Sequence, residues 1–110
     1  MITTVVHCKR ADYDVYIGRQ KTGFHFGNPF GTKEDSLATV LVPTRTDAIE
    51  SFDKWLSGEE FQNIEPERRQ WILENLHLLK GKRLGCFCKP KSCHGDVYVK
   101  HIHVADYLEF

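Results

Sequence analysis

Three cysteines, a histidine and an aspartate lie close together near the C-terminal end of the chain. The segment CFCKPKSCHGD contains Cys86, Cys88, Cys93, His94 and Asp96. Thiolates and imidazoles are the ligands that zinc prefers, and they also act as nucleophiles and general bases. The segment is therefore a candidate metal site, a candidate reactive thiol loop, or the sulfur-rich end of a buried strand.

The zinc hypothesis uses Cys86, Cys88, Cys93 and His94 as four tetrahedral ligands, or Cys8 in place of one of them. A Cys-x-Cys pair followed by an adjacent Cys-His pair differs from the two-residue spacing of common zinc knuckles. Under this hypothesis the protein is a zinc-stabilised interaction module that docks on a host protein or on nucleic acid.

The first half of the segment is predicted to end a strand that covers residues 83–88. Side chains two residues apart point to the same face of a strand, so Cys86 and Cys88 would face together, with Phe87 opposite them in the core. Pro90 would end the strand. Cys86 by itself is best interpreted as a buried strand residue, because cysteine is among the most buried residue types.

The second half of the segment is predicted to begin the last helix, at about residues 95–108. This length is more than twice that of a typical strand, which favours a helix. Cys93 and His94 would then lie at the positive end of the helix dipole, beside two lysines of the loop. Both features lower the pKa of a thiol. Cys93 or Cys88 is thus a candidate nucleophile, with His94 or Asp96 as acid or base.

The rest of the chain predicts one small α/β domain that covers residues 1–110, because this length supports a single hydrophobic core. Strands are predicted at 3–9, 13–17 and 37–42, and helices from about 47 to 57 and from 66 to 80. This order predicts a short, mostly parallel sheet with a hairpin-like edge, flanked by about three helices. The first strand and the strand at Arg83 are expected to lie parallel and adjacent.

The predicted topology also indicates where a ligand would bind. In open α/β sheets, ligands bind in the crevice beyond the carboxyl ends of the strands. Residues 7–10 follow the first strand, and residues 88–96 follow the later one. If these strands are neighbours, the two groups converge on one crevice.

Two further blocks carry polar groups suited to an anionic or nucleotide-like ligand. They are YDVYIGR, which ends at Arg19, and GNPF, which begins at Gly27. Arg19 supplies a planar fork for phosphate or carboxylate, and Asn28 can present a donor and an acceptor to a base or a ribose. An ordinary turn and a surface ion pair are the structural alternatives. Together with Cys88 and Lys89, these residues are predicted to bind the ligand.

The order of these blocks resembles a known protein family. YDVYIGR, GNPF, a helical Trp55-Leu56 pair and GKRLGCFCKPKSCHGDV are similar, over nearly the whole chain, to small bacterial and bacteriophage domains called domain of unknown function 4326. The resemblance implies a phage or bacterial source, and it implies no particular activity. The positions that match its motifs are Gly18, Arg19, Gly27, Asn28, Pro29, Cys88, Cys93, His94 and Asp96. Cys8 lies outside the pattern, which argues against it as a ligand.

Charge and hydropathy narrow the choice of partner and compartment. Fifteen basic residues balance fifteen acidic ones, so no bulk charge points to nucleic acid or to a membrane, although a local basic patch remains an option. No window approaches the roughly 18–20 apolar residues that span a bilayer, and the N-terminus lacks a signal h-region. We therefore expect a cytoplasmic protein, in the host cytoplasm if it is phage-encoded, with reduced thiols.

These observations favour a domain that binds a small anionic or nucleotide-like ligand at the predicted crevice. An enzyme that acts on nucleotides or nucleic acid is one form of this hypothesis. The zinc-stabilised module is the alternative. Substrate, reaction and oligomeric state do not follow from the sequence.

Overall fold

The computed structural model describes the backbone of residues 2–33 and 37–108, and the side chains of these residues up to residue 103. The predicted α/β class is confirmed within this part of the chain. In chain order the elements are β1 (Thr4–His7), β2 (Val15–Tyr16), β3 (Phe30–Gly31), β4 (Val40–Leu41), α1 (Arg45–Ser57), α2 (Pro66–Asn75), a 3₁₀ helix (Leu76–Leu79), β5 (Arg83–Cys86) and α3 (His94–Leu108).

The main sheet has three parallel strands in the order β1-β5-β2. Leu84 at its centre pairs with Val5 of β1 on one side and with Val15 of β2 on the other. The predicted parallel contact between β1 and β5 is confirmed. The expected hairpin-like edge is wrong, because β2 pairs with β5 in parallel and not with β1. β5 takes the central position since its last three residues are all buried, whereas those of β1 and β2 are only partly buried or exposed.

A second, two-stranded sheet joins β3 and β4, which are also parallel and lie outside the main sheet. Phe30 pairs with Val40, and Gly31 pairs with Leu41. Phe30 and Gly31 are buried. The predicted strand at 37–42 is thus confirmed as a much shorter one. This small sheet fixes the end of the GNPF block against α1.

Both ends of the first helix are set by capping residues of its own sequence. Thr44 is the N-cap, and its Oγ1 accepts a hydrogen bond from the backbone N–H of Asp47. Gly58 ends the helix in a left-handed conformation with φ of 83°. The buried face of α1 consists of Ala48, Phe52, Trp55 and Leu56. The helix predicted from about 47 to 57 is therefore confirmed, and its buried face covers one side of the core.

The second helix begins at Pro66 as predicted, but it ends at Asn75 and continues as the 3₁₀ helix. Its buried residues include Arg68, which is only 4% exposed. No helix in the described ranges 2–33 and 37–108 is both long and apolar enough to cross a membrane.

Arg68 ties α2 to the loop that precedes GNPF. Its Nη1 donates to the carbonyl oxygens of His25 and Gly27, at 2.9 and 2.6 Å. Its Nε donates to Glu65 Oε1 at 2.8 Å, and its guanidinium lies 5.4 Å from the centre of the Trp55 ring. These hydrogen bonds fix the loop to α2 through a buried arginine.

Candidate functional site

A cleft of about 440 Å³ opens at the carboxyl ends of β2 and β5, between the first turns of α1 and α3. This volume lies in the range of small-molecule sites, which is roughly 300–1,000 Å³. The residues that line the cleft are Tyr16, Gly18, Arg19, Asn28, Gly31, Thr32, Lys33, Leu37, Arg45, Ala48, Ile49, Cys86, Phe87, Cys88, Ser92, Cys93 and His94.

The position of the cleft corrects the predicted crevice. It lies beyond β5 as expected, but its other wall comes from the end of β2, and residues 7–10 after β1 do not line it. The reason is the strand order, which places β2 beside β5 on the side where the cleft opens. Phe87 also differs from the prediction. The strand ends at Cys86, and the Phe87 side chain is 55% exposed at the cleft instead of buried in the core.

The Arg, Lys, Asp and Glu residues that line the cleft are all basic among the described residues. Arg19, Lys33 and Arg45 contribute their side chains, and no lining residue is Asp or Glu. Glu34 and Asp35 lie outside the described residues. The first backbone N–H groups of a helix have no intrahelical partners and carry a partial positive charge, so the N-termini of α1 and α3 add to the positive field. The arrangement is suited to an anion.

The predicted ligand residues Arg19 and Asn28 both line the cleft, and both hold its wall together. Arg19 Nε donates to the carbonyl of Asn28 at 2.7 Å, and Nη2 donates to the carbonyl of Phe30 at 2.8 Å. Asn28 Nδ2 donates to the carbonyl of Ala48 at 3.0 Å, and Oδ1 accepts from the N–H of Phe30 at 2.9 Å. These bonds bind the GNPF block to Arg19 and to α1.

Glycines allow this close packing. A Cβ on Gly31 would lie 2.9 Å from Arg19 Nη2, and one on Gly27 would lie 2.7 Å from the Arg19 backbone. Gly27, a predicted ligand residue, is buried and is not among the residues that line the cleft. Its position therefore fits a packing role, in which the chain approaches Arg19 without a side chain between them.

The three cysteines of CFCKPKSCHGD come together at the floor of the cleft. Cys86 and Cys93 are each 2% exposed, and their Sγ atoms lie 3.2 Å apart. Cys88 is partly exposed. Hydrogen bonds from the thiols of Cys88 and Cys93 lower the pKa of Cys86. The same contacts with Cys86 raise the pKa of Cys88 and of Cys93. The hydrogen bonds among the three thiols therefore favour the thiolate of Cys86 over those of Cys88 and Cys93.

This arrangement contradicts the predicted activation of Cys93. Its pKa is raised, because its thiol donates to Cys86 and is buried, and these effects exceed the field of the helix. Cys93 instead acts as the N-cap of α3. Its Sγ accepts a hydrogen bond from the N–H of Gly95 at 3.3 Å. A capping sulfur that carries its proton is poorly suited to be the nucleophile.

His94 is a buried part of the cleft wall and is held by backbone groups. Its Nε2 lies 2.7 Å from the carbonyl oxygen of Ile17 and 3.2 Å from that of Phe26. Carbonyls only accept, so Nε2 carries the proton and Nδ1 carries the lone pair. Burial lowers the pKa of His94 to about 4. The imidazole is thus neutral at pH 7.

Asp96 and Lys89 pair with each other and are not among the residues that line the cleft. Lys89 Nζ lies 2.9 Å from Asp96 Oδ1. The other carboxylate oxygen, Oδ2, accepts from the N–H of Cys93 at 3.2 Å. Asp96 is the third residue of α3 and bonds the backbone N–H of the N-cap residue Cys93, as the third residue does in a capping box. This geometry gives Asp96 a role in building α3.

The spacing of the predicted zinc ligands differs from the spacing that a tetrahedral zinc ion requires. Two thiolates on one tetrahedral zinc lie about 3.8 Å apart, because Zn–S bonds are about 2.3 Å long. The Sγ atoms of Cys86 and Cys93 are closer than that, at 3.2 Å. Across residues 2–33 and 37–103, no group of three or more His, Cys, Asp or Glu side chains is arranged to hold a metal ion. The zinc hypothesis gains no support from this geometry.

Tyr16, Lys33 and Arg45 are among the cleft residues that were not identified from the sequence. Arg45 is the first residue of α1, directly after the N-cap Thr44. A cation next to a helix N-terminus is unfavourable for the helix dipole, and this contradiction was a usable sign of a functional role. Tyr16 and Lys33 carried no comparable sign.

Comparison with known proteins identifies the family of the chain. The model of a family described as "Domain of unknown function (DUF4326)" matches residues 5–104. The chain is also 35% identical over 99 residues to the "Uncharacterized 12.4 kDa protein in nrdA-td intergenic region" of Enterobacteria phage T4. This match covers 89% of the chain and 74% of that protein. No solved structure gives a significant match. The predicted resemblance is confirmed, and the chain belongs to the family of domain of unknown function 4326.

Proposed function

We propose that the protein binds a small anionic, nucleotide-like ligand in the cleft, and that a phosphate group of this ligand lies between the first turns of α1 and α3. The observation that carries the proposal is the lining of the cleft. Among the described residues it contains Arg19, Lys33 and Arg45 and neither Asp nor Glu. A cleft of about 440 Å³ accommodates a ligand of this size.

Arg45 is the residue best suited to hold the anion. Its side chain lines the cleft and is exposed. None of the salt bridges among the described residues involves Arg45, whereas Arg68 and Arg83 each pair with a carboxylate. The acidic residue of the first turn of α1, Asp47, accepts from the Thr44 hydroxyl at 2.8 Å and is not part of the lining. The positive charge at this helix end is therefore directed to the cleft.

Arg19 contributes in a different way. Two of its nitrogens donate to the carbonyls of Asn28 and Phe30, so it keeps its charge at the cleft while it fixes the wall. A preorganised cation costs little to order when a ligand binds. Arg19 is thus proposed to add charge, and Arg45 is proposed to make the direct contact.

The most direct test is calorimetric titration with ribose 5-phosphate, with ribose as the uncharged comparison. We expect the phosphate ester to bind and ribose not to bind. Affinity should fall as salt is raised, since the contact is electrostatic and exposed. Arg45→Gln should weaken binding by about tenfold, the value of one charge-assisted contact of about 1.4 kcal/mol.

Arg10→Gln is the matched control, because it removes the same charge at an exposed residue that does not line the cleft. It should bind ribose 5-phosphate like the unchanged protein. The proposal is contradicted if no binding is found at millimolar concentrations, or if the Arg45 and Arg10 variants lose the same affinity.

The proposal includes a cytoplasmic location, in the host cytoplasm for a phage-encoded protein. All four cysteines are free, and a reducing compartment would keep them so. An enzymatic step is not part of the proposal, because His94, Cys93 and Asp96, the predicted catalytic residues, are each engaged in building α3 or the cleft wall.

A further inference from the structure

An aromatic surface borders the basic cleft. Phe87 follows the buried end of β5 directly, yet its side chain is 55% exposed and lines the cleft. Its ring lies 6.1 Å from that of Tyr16 and 6.0 Å from that of His7, at interplanar angles of 82° and 84°. Tyr16 also lines the cleft. A large apolar side chain at such a position requires an explanation, because the neighbouring residues of β5 are buried.

The position of Tyr16 is fixed by the glycine that follows its strand. A Cβ on Gly18 would lie 2.0 Å from Tyr16 Oη and 2.3 Å from Cζ. The tyrosine ring therefore lies directly against the backbone at Gly18, and any other residue at this position would displace it. The same ring is 6.3 Å from that of Tyr13. Tyr16 is thus held from two sides and needs little ordering when it meets a ligand.

We propose that the Phe87 ring, with the Tyr16 ring packed nearly perpendicular beside it, forms a platform on which a nucleobase stacks, so that the ligand of the cleft is a nucleoside monophosphate. This inference rests on the proposed function, since the phosphate must be held by the basic wall. The two walls are complementary in chemistry. One carries Lys33 and Arg45 for the phosphate, and the other carries aromatic rings for the base. Stacking on an aromatic side chain stabilises a bound base whatever its sequence identity.

The choice of a mononucleotide over a nucleic-acid strand follows from charge and size. The chain has a formal net charge of zero and an isoelectric point of about 7.0. Domains that bind a polyanionic backbone are usually strongly basic. A cleft of about 440 Å³ has room for one nucleotide.

Lys9, which does not line the cleft, lies beside the platform. Its Nζ lies 5.9 Å from the centre of the Phe87 ring. Such a cation–π contact is weak at an exposed site. A stacked base with its larger contact area can therefore replace it.

The test compares adenosine 5′-monophosphate with ribose 5-phosphate by calorimetry, because the two differ only in the base. We expect the nucleotide to bind the unchanged protein at least about tenfold more tightly. Phe87→Ala should remove this difference while it leaves the affinity for ribose 5-phosphate unaltered. Phe24→Ala is the matched control, since Phe24 is 54% exposed and does not line the cleft.

Each outcome separates this inference from the proposed function. If ribose 5-phosphate binds and the nucleotide binds no better, the platform is wrong and the anion site stands. If Phe87→Ala weakens both ligands equally, the ring supports the cleft and does not stack on a base. Tighter binding of a short oligothymidylate than of any mononucleotide would overturn the choice of a single nucleotide. If neither phosphate ester binds, the proposed function itself fails.

Discussion

The buried, neutral His94 makes a quantitative prediction about stability and pH. The pKa of this histidine is lowered by burial from 6.5 to about 4 in the folded protein. In the unfolded chain the imidazole has its ordinary value. Between these two values the unfolded state binds a proton that the folded state does not, so stability falls as the pH is lowered. The stabilisation is complete above about pH 6.5 and is lost progressively as the pH falls toward 4.

The size of the effect follows from the two pKa values. Lowering the pH from 7.5 to 5 should cost about 2 kcal/mol through His94. This is a large part of the roughly 5–15 kcal/mol by which small domains are stable. Urea unfolding at each pH measures the loss as a change in the free energy of unfolding, provided that the slope with denaturant stays constant.

His94→Gln is the informative variant, because its amide can donate to the Ile17 carbonyl and cannot titrate in this range. The variant should lose about 2 kcal/mol less than the unchanged protein over the same pH interval. His25, whose pKa is also lowered, is present in both proteins and cancels in the comparison. If the variant does not fold, an NMR titration of the histidine Cε1–H signals gives the answer directly. A pKa of 6 or above for His94 would refute the reasoning.

Two further predictions concern the buried arginine and the thiol cluster. Arg68→Met should lower the free energy of unfolding by about 3–5 kcal/mol, because it leaves Glu65 and two carbonyls without their partner. Arg83→Met, which breaks an exposed arginine–carboxylate pair, should cost about 0–1 kcal/mol, and equal losses would contradict the clamp. Cys86 and Cys93 should resist iodoacetamide until the chain unfolds, since each is 2% exposed. Rapid alkylation of both in the native protein, seen by mass spectrometry, would contradict the buried cluster.

Local features of the fold were predictable because their causes are local. The cap at Thr44, the stop at Gly58 and the buried face between them depend on residues within one helix. The start of α2 at Pro66 and of α3 near Cys93 likewise followed from neighbouring residues. Helix ends are determined by short-range geometry, so a sequence pattern is sufficient to find them.

The order of the strands was only partly predictable. The β1–β5 pair was expected, but β2 was placed in a hairpin and instead lies on the far side of β5. Pairing of Val15 with Leu84 joins positions that are distant in the chain, and nothing in either strand of two or four residues specifies that partner. The position of the cleft depends on this pairing, which is why its second wall was misplaced.

Several predicted residues lie at the cleft, but their structural contacts were not predicted from the sequence. Arg19, Asn28 and Cys88 line the cleft as predicted to do, yet the first two also serve as structural ties through hydrogen bonds to carbonyls far along the chain. Phe87 was expected in the core from strand alternation, which failed because the strand stops one residue earlier. Arg45 was not recognised as a cleft residue, because its place in the lining depends on the tertiary fold and not on its neighbours in the chain.

The central claim is that the cleft between α1 and α3 holds the phosphate and the base of one nucleotide. A titration of ¹⁵N-labelled protein with adenosine 5′-monophosphate, followed by two-dimensional NMR, tests it most directly. We expect saturable shifts of the backbone amides in the first turns of α1 and α3 and around Phe87, with little change at the distant 3₁₀ helix. Shifts that avoid both helix starts, or no shifts at millimolar nucleotide, would contradict the claim.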